Sequence, residues 1–177
     1  MSPQQGAPEA EVTVEAGVIR LTIASTVAAT ADEVWAWATT FAGVNAELMP
    51  FCRMLEPRSL KGRTLDSYVP GERAACWLLA GGVVPFDRHL LGLESITPGV
   101  GFVEESTTWM QRRWRHERTL TAAGTAGETA KTTIEDRLTI EPRLQFAARF
   151  TAPVVGRIFE HRHRRLRARF GGVMSVT

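Results

Sequence analysis

Alternation of apolar and polar positions begins near residue 17 of the chain. Leu21, Ile23 and Val27 are separated by polar residues, and side chains that repeat with a period of two share one face of a strand. The pattern predicts a first strand over residues 17–28.

Two short helices are predicted after this strand. Thr30 and Glu33 have the spacing of a capping box, in which each side chain accepts a hydrogen bond from the other residue's backbone N–H. Apolar residues then recur at helical spacing, at Val34, Trp37, Ala38 and Phe41. Gly43 interrupts this helix, and a second helix around residues 45–48 ends before Pro50.

Strand-like segments separated by turn residues fill the middle of the chain. They predict strands over residues 51–55, 73–79, 86–96, 102–109, 113–121 and 132–140. Pairs such as Gly81-Gly82 and Pro98-Gly99 mark the bends and turns between them. Sequential strands joined by short loops favour an antiparallel meander.

After Pro142 the apolar period becomes that of a helix over residues 146–170. The residues that we expect to be buried are Phe150, Val154, Ile158 and Phe159. Those that we expect to be largely exposed are Arg162, Arg164 and Arg167. Pro153 predicts a kink or a restart, with Thr151 as the N-cap, and Gly171 predicts the end of the helix.

Three segments of the chain carry a pattern that is typical of one superfamily. They are residues 27–35 (VAATADEVW), residues 114–120 (WRHERTL) with 136–142 (DRLTIEP), and residues 158–171 (IFEHRHRRLRARFG). Together they resemble the START-like, or SRPBCC, superfamily and its bacterial polyketide cyclase/dehydrase-like subgroup. The resemblance implies an α+β helix-grip fold, in which a curved antiparallel sheet of about seven strands wraps around the C-terminal helix and encloses a pocket. The superfamily shares this pocket and not a reaction.

Length and composition fit one globular domain. The 177 residues are 44% hydrophobic and 23% charged, which are ordinary globular values. We expect a flexible leader over residues 1–10, a single domain over 11–172 and a tail over 173–177. No apolar run reaches the roughly 18 residues that span a bilayer, and the first residues lack the pattern of a secretory signal. With Cys52 and Cys76 as the only cysteines, these features predict a cytoplasmic protein.

The net charge of +2 conceals an uneven distribution. Residues 157–169 hold six arginines and one acid, Glu160, which gives a local charge of +5. Such a segment can bind nucleic acid, an anionic surface or a protein, but a solvated helix face is the simpler interpretation. We therefore predict no nucleic-acid binding. Because no apolar run is long enough to span a bilayer, we also predict no membrane insertion. A homodimer stays open as an alternative to a monomer.

Polar residues on two predicted neighbouring strands form the candidate site. Trp114, His116 and Arg118 share one face of their strand, and Asp136 shares a face with the apolar Leu138. If both faces point inward, the carboxylate has to be paired, because an unpaired buried charge costs several kcal/mol. The group is then either an anchor for a ligand carbonyl or hydroxyl, with a His/Asp acid–base pair, or an internal ion pair that fixes strand register.

Further residues complete the predicted pocket. Trp77, Phe150 and Val154 are expected to line it, since aromatic and aliphatic side chains bury flat or aliphatic ligands. Arg88 or its neighbour His89 is expected to add a polar group, although the pattern of residues 86–96 leaves open which parity faces inward.

Several other polar residues are weaker candidates for a site. One of Glu104 and Glu105 has to face inward, and Glu47 is expected at the pocket mouth. His161 and His163, two apart on a helix, diverge too far to hold one metal ion. No metal-binding, nucleophile or nucleotide-binding motif occurs, so we predict neither a metal nor a cofactor.

Three functions follow, and whether the protein is an enzyme stays open. The first is the binding of a small hydrophobic molecule, lipid-, polyketide- or aromatic-like, between the sheet and the C-terminal helix. The second is an aromatic polyketide cyclase/dehydratase-type enzyme, in which His116, Arg118 and Asp136 polarise a carbonyl or move a proton. The third is a protein-interaction module that uses the arginine-rich helix.

Overall fold

The computed structural model of the protein describes residues 7–124 and 129–173. Its helices are α1 (Ala31–Ala38), α2 (Phe41–Leu48) and α3 (Ala148–Phe170). Its strands are β1 (Glu11–Glu15), β2 (Val18–Val27), β3 (Cys52–Met54), β4 (Arg73–Ala80), β5 (Val84–Thr97), β6 (Gly101–Thr108), β7 (Gln111–Ala123), β8 (Lys131–Pro142) and β9 (Gly172–Val173). The termini beyond these ranges lie outside the described residues, so the predicted leader and tail stay predictions.

The strands form one curled antiparallel sheet. Their order is β1-β2-β8-β7-β6-β5-β4-β3, and β9 also pairs with β2. Helix α3 packs against β1, β2 and α2 on the concave side. This half-barrel around a long C-terminal helix confirms the predicted α+β helix-grip fold. The described residues form nine strands instead of about seven.

One of the additional strands, β1, forms a hairpin with β2. Val12 and Val14 alternate with polar residues, and the turn residues Ala16 and Gly17 have φ angles of 49° and 78°. A two-residue turn with positive φ at both positions matches the twist of a hairpin. The short alternation and the Ala-Gly turn were therefore a usable sequence signal.

The two short helices begin where their caps lie. Thr30 and Glu33 form the predicted capping box at the start of α1. The Thr40 hydroxyl accepts a hydrogen bond from the Gly43 N–H and so starts α2 at Phe41, earlier than predicted. A side chain at Gly43 would lie 2.0 Å from the Trp37 carbonyl oxygen, which explains the glycine inside this helix.

The long helix presents a different face to the sheet from the predicted one. Phe159 is buried as expected, but Phe150 and Val154 are 59% and 56% exposed. Small residues, among them Ala148 and Ala152, allow α3 to approach the sheet closely. The larger Phe150 and Val154 are consequently turned toward the open edge of the concave face.

Pro153 lies inside α3 without restarting it, and Thr151 is not an N-cap. The missing N–H of Pro153 leaves the carbonyl of Arg149, one turn earlier, without its helical donor. Arg149 is exposed, so water can bind that carbonyl.

Within the described ranges, no helix is both long and apolar enough to cross a membrane.

Candidate ligand-binding cavity

A cavity of about 640 Å³ lies between the concave face of the sheet, α2 and the first half of α3. Most of its wall is apolar, including Val44, Leu48, Leu91, Leu93, Phe102 and Phe159. Its volume falls within the range of roughly 300–1,000 Å³ that small-molecule sites occupy.

The cavity opens to solvent at one end of the sheet. Five residues both line it and are between 44% and 59% exposed, namely Phe51, Phe86, Met110, Phe150 and Val154. They come from the α2–β3 loop, the start of β5, the β6–β7 turn and the first turns of α3. The mouth of the cavity is therefore apolar, like its interior.

Strand β5 turns its odd-numbered residues from Asp87 to Leu93 inward, so His89 borders the cavity. The pairing with β6 shifts register between Leu93 and Ser95, which lets Ile96 also pack against the core. A second irregularity, in the pairing with β4, falls at Phe86. The two irregularities explain why Phe86 and Ile96, at the ends of the segment, gave one parity in the sequence and Leu91 and Leu93, in its middle, gave the other.

A chain of charged and polar groups runs along the inner wall. His89 Nε2 lies 2.6 Å from Glu104 Oε1, and Glu104 Oε2 lies 3.7 Å from His116 Nδ1. The other nitrogen of His116, Nε2, lies 3.1 Å from Asp136 Oδ1. Glu104 and His116 are directly opposite on β6 and β7, so strand register creates the contact.

Asp136 is the fully buried centre of this group. Arg118 donates from Nε to Oδ1 and from Nη2 to Oδ2, both at 2.7 Å, the two-pronged geometry that makes such pairs strong. His163 Nε2 lies 3.1 Å from Oδ2, and its Nδ1 lies 2.8 Å from the Ser25 hydroxyl. Asp136 thereby links two strands of the sheet to α3.

Glu47 extends the group to both helices that cover the sheet. Arg162 donates from Nη2 to Glu47 Oε2 at 2.9 Å, and Arg118 reaches the same oxygen at 3.3 Å. Arg162 is only 6% exposed, so the prediction that it faces solvent is wrong. The carboxylate of Glu47 is what draws this arginine inward, because a buried guanidinium needs a partner.

Two carboxylates of this buried group, Asp136 and Glu104, are held ionised by their neighbours. Burial raises the pKa of Asp136, but Arg118 and His116 outweigh it and hold that pKa well below its usual range. Burial likewise raises the pKa of Glu104, and His89 and His116 more than offset it, so that its pKa is lowered. Glu104, in the wall, and Asp136, behind it, therefore keep their negative charges beside cationic or hydrogen-bonding partners.

Some polar atoms around the cavity lack a hydrogen-bond partner among the described residues. They include the Tyr68 hydroxyl and Gln111 Oε1, both buried, and His89 Nδ1, because the His89 ring is hydrogen-bonded through Nε2. Burial is the main reason why the pKa of Tyr68 is raised to about 12, so its hydroxyl keeps its proton. The Tyr68 hydroxyl and Gln111 Oε1 have almost no accessible surface, so a ligand would reach them only after a movement of their side chains.

Four of the predicted pocket residues lie in the cavity wall, namely Trp114, His116, Phe150 and Val154. Arg118 and Asp136 do face inward, but at 2% and 0% exposed they lie behind the wall, inside the charged group. They support the wall and do not border the cavity. Whether any of these residues binds a ligand stays a prediction.

Trp77 and Arg88 do not border the cavity, which corrects their predicted placement. They are opposite each other on β4 and β5, on the convex face of the sheet, and both are exposed. Trp77 instead packs edge to face against Trp109, with ring centroids 5.0 Å apart. The neighbouring inward positions hold Cys76 and His89, since adjacent strand residues face opposite sides.

The arginine-rich part of α3 is less free than its sequence suggests. Besides the buried Arg162, Arg169 lies 3.5 Å above the Trp37 ring, and Arg165 Nε donates to the Ala46 carbonyl at 3.1 Å. Several of these side chains therefore hold α3 to α1 and α2. Arg164 is exposed, as predicted, and Arg167 is partly buried.

No group of three or more histidine, cysteine or acidic side chains in the described residues could hold a metal ion.

Residues 25–170 match the model of a protein family, DUF8410, described as a domain of unknown function. The chain belongs to this family. No curated protein matches the DUF8410 chain.

Solved structures share the fold of this DUF8410 chain. A START superfamily protein from Mycobacterium smegmatis is similar with a TM-score of 0.57 and 14% identity, over 85% of this chain and 96% of that chain. CalU16 from Micromonospora echinospora is similar with a TM-score of 0.55 and 12% identity, over 94% and 87% of the two chains. DynU16, from the dynemicin biosynthetic locus, has a TM-score of 0.52 and 17% identity, over 85% of this chain and 48% of that chain. At these identities the likeness establishes a START-like fold and no activity.

Proposed function

We propose that this DUF8410 protein binds a small, mostly apolar molecule, lipid-, polyketide- or aromatic-like, between the sheet and α3. The cavity of about 640 Å³, with its apolar wall and open mouth, carries the proposal. Each Å² of apolar ligand surface removed from water contributes about 25 cal/mol. The START-like neighbours support a ligand-binding fold.

The polar groups around the cavity favour a ligand without a net negative charge. Arg63 and Arg162, two arginines in the wall, already bind the carboxylates of Glu72 and Glu47. Releasing either one to a ligand anion would leave a carboxylate unpaired. The unpartnered Tyr68 hydroxyl instead fits a neutral carbonyl or hydroxyl oxygen.

Two measurements test this proposal. Mass spectrometry of the purified protein after denaturation should reveal a co-purified apolar molecule, and the neutral dye Nile red should become fluorescent in the cavity. Val44→Phe fills space beside the cavity and should weaken dye binding severalfold. Val14→Phe makes the same change on exposed β1, outside the wall, and should leave it unchanged. Equal dye binding by both variants and the wild type would place the dye elsewhere and contradict the proposal.

A second candidate is proton transfer on the bound molecule, and the geometry around His89 favours it. His89 borders the cavity, its Nε2 faces Glu104, and its Nδ1 is unpartnered among the described residues. A carboxylate behind one ring nitrogen orients the other as a base. His116, by contrast, faces carboxylates with both nitrogens, so the acid–base role fits His89 better than the predicted trio.

This second candidate has a direct test. With an aryl methyl ketone in the cavity, His89 Nδ1 would take a proton from the methyl carbon, and the electron pair of that C–H bond would form the enolate. In deuterium oxide the methyl protons should exchange faster with the wild type than with His89→Gln, as followed by proton NMR. Equal exchange rates, with Nile red binding intact in both proteins, would leave the protein a binder and not an enzyme of this kind.

A further inference from the structure

Most of the strongly exposed large apolar side chains of the described residues lie at the end of the sheet where the cavity opens, although Val69, in the loop before β4, is also 64% exposed. Val83, Phe146, Leu144, Val84, Phe150 and Trp109 are between 57% and 77% exposed, and we call these six residues the apolar collar. Soluble surfaces rarely expose a contiguous apolar patch of this kind without a function.

The topology of the sheet explains why the collar is continuous. The β4–β5 turn, the β6–β7 turn and the segment between β8 and α3 all lie at the same end of antiparallel neighbours. Hydrogen bonds join these loops: the Trp109 N–H donates to Asp87 Oδ1 at 2.9 Å, and the Arg143 N–H donates to the Met110 carbonyl at 3.1 Å. The Gly81 N–H donates to the Phe51 carbonyl at 2.9 Å and joins the β4–β5 turn to the α2–β3 loop.

Arginines flank the apolar collar. Arg53, Arg88, Arg143 and Arg149 are exposed there and have no carboxylate partner among the described residues. The guanidinium of Arg149 lies 4.6 Å above the ring of Phe150, a member of the collar. Cationic side chains beside exposed apolar ones are the combination that binds anionic membrane surfaces.

Exposed acids at this end are few. Glu15 lies next to the β1–β2 turn, and Glu141 is held by Arg112, whose Nη2 donates to it at 2.8 Å. The mouth of the cavity is therefore both apolar and electropositive.

We propose that the apolar collar docks on an anionic lipid bilayer, with its side chains in the interfacial region and the flanking arginines on lipid phosphates. The collar surrounds the opening of the cavity. A fluid bilayer can contact all of its side chains, whereas a protein with a rigid surface would have to span the opening. Two copies facing each other through the collar would bring the same arginines together, and like charges disfavour that contact. Docking places the mouth of the cavity against the membrane, in which apolar molecules dissolve.

The proposal revises one sequence-based expectation. No membrane insertion was predicted because no segment is long and apolar enough to span a bilayer. The collar needs no such segment, because turns and the start of one helix bring its side chains together.

Sedimentation with ligand-free vesicles tests the docking. The wild type should partition onto vesicles of equal parts phosphatidylcholine and phosphatidylglycerol, and much less onto phosphatidylcholine alone. Val83→Asp should reduce this partition by about tenfold or more, because it places a charge in the interfacial region of an anionic membrane. Brominated lipids should also quench the wild type more than Trp109→Phe.

The chain offers a matched control at the opposite end of the sheet. Val100 is 51% exposed in the β5–β6 turn, and its N–H donates to the Thr97 carbonyl at 3.0 Å. Val83 has the same local bond, to the Ala80 carbonyl at 3.2 Å. Val100→Asp should therefore affect folding as Val83→Asp does, and leave vesicle binding unchanged.

Three outcomes would overturn the proposal. The wild type does not bind anionic vesicles, Val83→Asp and Val100→Asp lose vesicle binding equally, or the wild type is a dimer that Val83→Asp dissociates. The last outcome would make the collar a contact between copies, and light scattering without vesicles would detect it. Because the vesicles contain no ligand, docking can succeed even if Nile red does not bind, so the two proposals fail separately.

Discussion

The group around Asp136 and the apolar collar differ in how completely their chemistry is satisfied within the chain. Asp136 is entirely buried and receives hydrogen bonds from both ends of the Arg118 fork. Phe146 and Val83 in the collar are 65% and 77% exposed, and nothing in the described residues covers them. The polar groups around Asp136 find their partners within the chain, whereas the collar keeps an apolar surface that a binding partner can cover.

This difference separates stability from binding within one small domain. A fully partnered buried group is expensive to disturb, because removing one member leaves the others unpaired in a medium of low dielectric constant. An exposed apolar side chain contributes little to folding, since it gains little burial when the chain folds. Variants in the two regions should therefore affect different measurements.

The largest expected effect is on stability, from Asp136→Ala. This change removes the carboxylate that Arg118, His116 and His163 share, and leaves Arg118 only its longer contacts to Glu47, so the free energy of unfolding should fall by about 3–5 kcal/mol. Urea denaturation followed by circular dichroism measures it. Glu135, the adjacent residue of the same strand, faces the other side and pairs with Arg137 at the surface, and Glu135→Ala should cost less than about 1 kcal/mol. Equal losses would mean that the buried group does not stabilise the fold.

A pair of phenylalanines in one helix sharpens the comparison. Phe159 is 1% exposed and contacts His116 edge to face, with ring centroids 5.4 Å apart. Phe159→Ala should lower the free energy of unfolding by about 3–5 kcal/mol. Phe150→Ala, in the collar, should cost less than about 1 kcal/mol yet reduce Nile red and vesicle binding. A large stability loss from Phe150→Ala would show that the mouth is closed in solution.

The sequence predicted the fold because its signals are local. The capping box at Thr30 and Glu33, the strand alternation and the period of 3.6 after Pro142 each depend on neighbouring residues. The hairpin of β1 was missed because five residues of alternation are short. Its Ala16-Gly17 turn was the stronger signal.

The site was predicted less well because its positions depend on register and helix rotation. The inward position of Asp136 beside Arg118 followed from alternation on two regular strands. His89 and Arg88 could not be distinguished, because the irregular pairing of β5 changes parity along the strand. The burial of Arg162 depends on Glu47, 115 residues away in the chain, and no local pattern reports such a contact.

The buried carboxylates should also make stability depend on pH. Asp136 and Glu104 both have a lowered pKa in the folded protein, so the unfolded chain binds protons more readily and stability increases with pH in this range. Their contribution is complete above the unfolded values of about 4 and should fall by roughly 2–3 kcal/mol between pH 5 and pH 3.

Thermal denaturation across this pH range measures that dependence. The relevant partners are His89 and His116 at Glu104, and Arg118, His116 and His163 at Asp136. Glu104→Gln removes one of the two titrating groups and should flatten the profile. A profile as steep as that of the wild type would mean that other carboxylates cause the acid sensitivity.

The smallest expected effect on stability belongs to Tyr68→Phe, and it tests whether the cavity uses its unpartnered polar atoms. Tyr68 borders the cavity, and its hydroxyl is buried without a partner among the described residues. Because an unpaired buried hydroxyl costs free energy, its removal should leave the free energy of unfolding within about 1 kcal/mol of the wild type or raise it slightly. Binding should respond differently for two kinds of ligand. A ligand with a carbonyl that accepts the hydroxyl proton should bind roughly fivefold more weakly to the variant, since a hydrogen bond contributes about 1 kcal/mol, whereas its hydrocarbon analogue should bind equally to both proteins. Isothermal titration of the two ligands against both proteins measures the difference. If the carbonyl ligand binds Tyr68→Phe as tightly as the wild type, the hydroxyl does not contact the ligand, and the cavity selects its occupant by shape and apolar area alone.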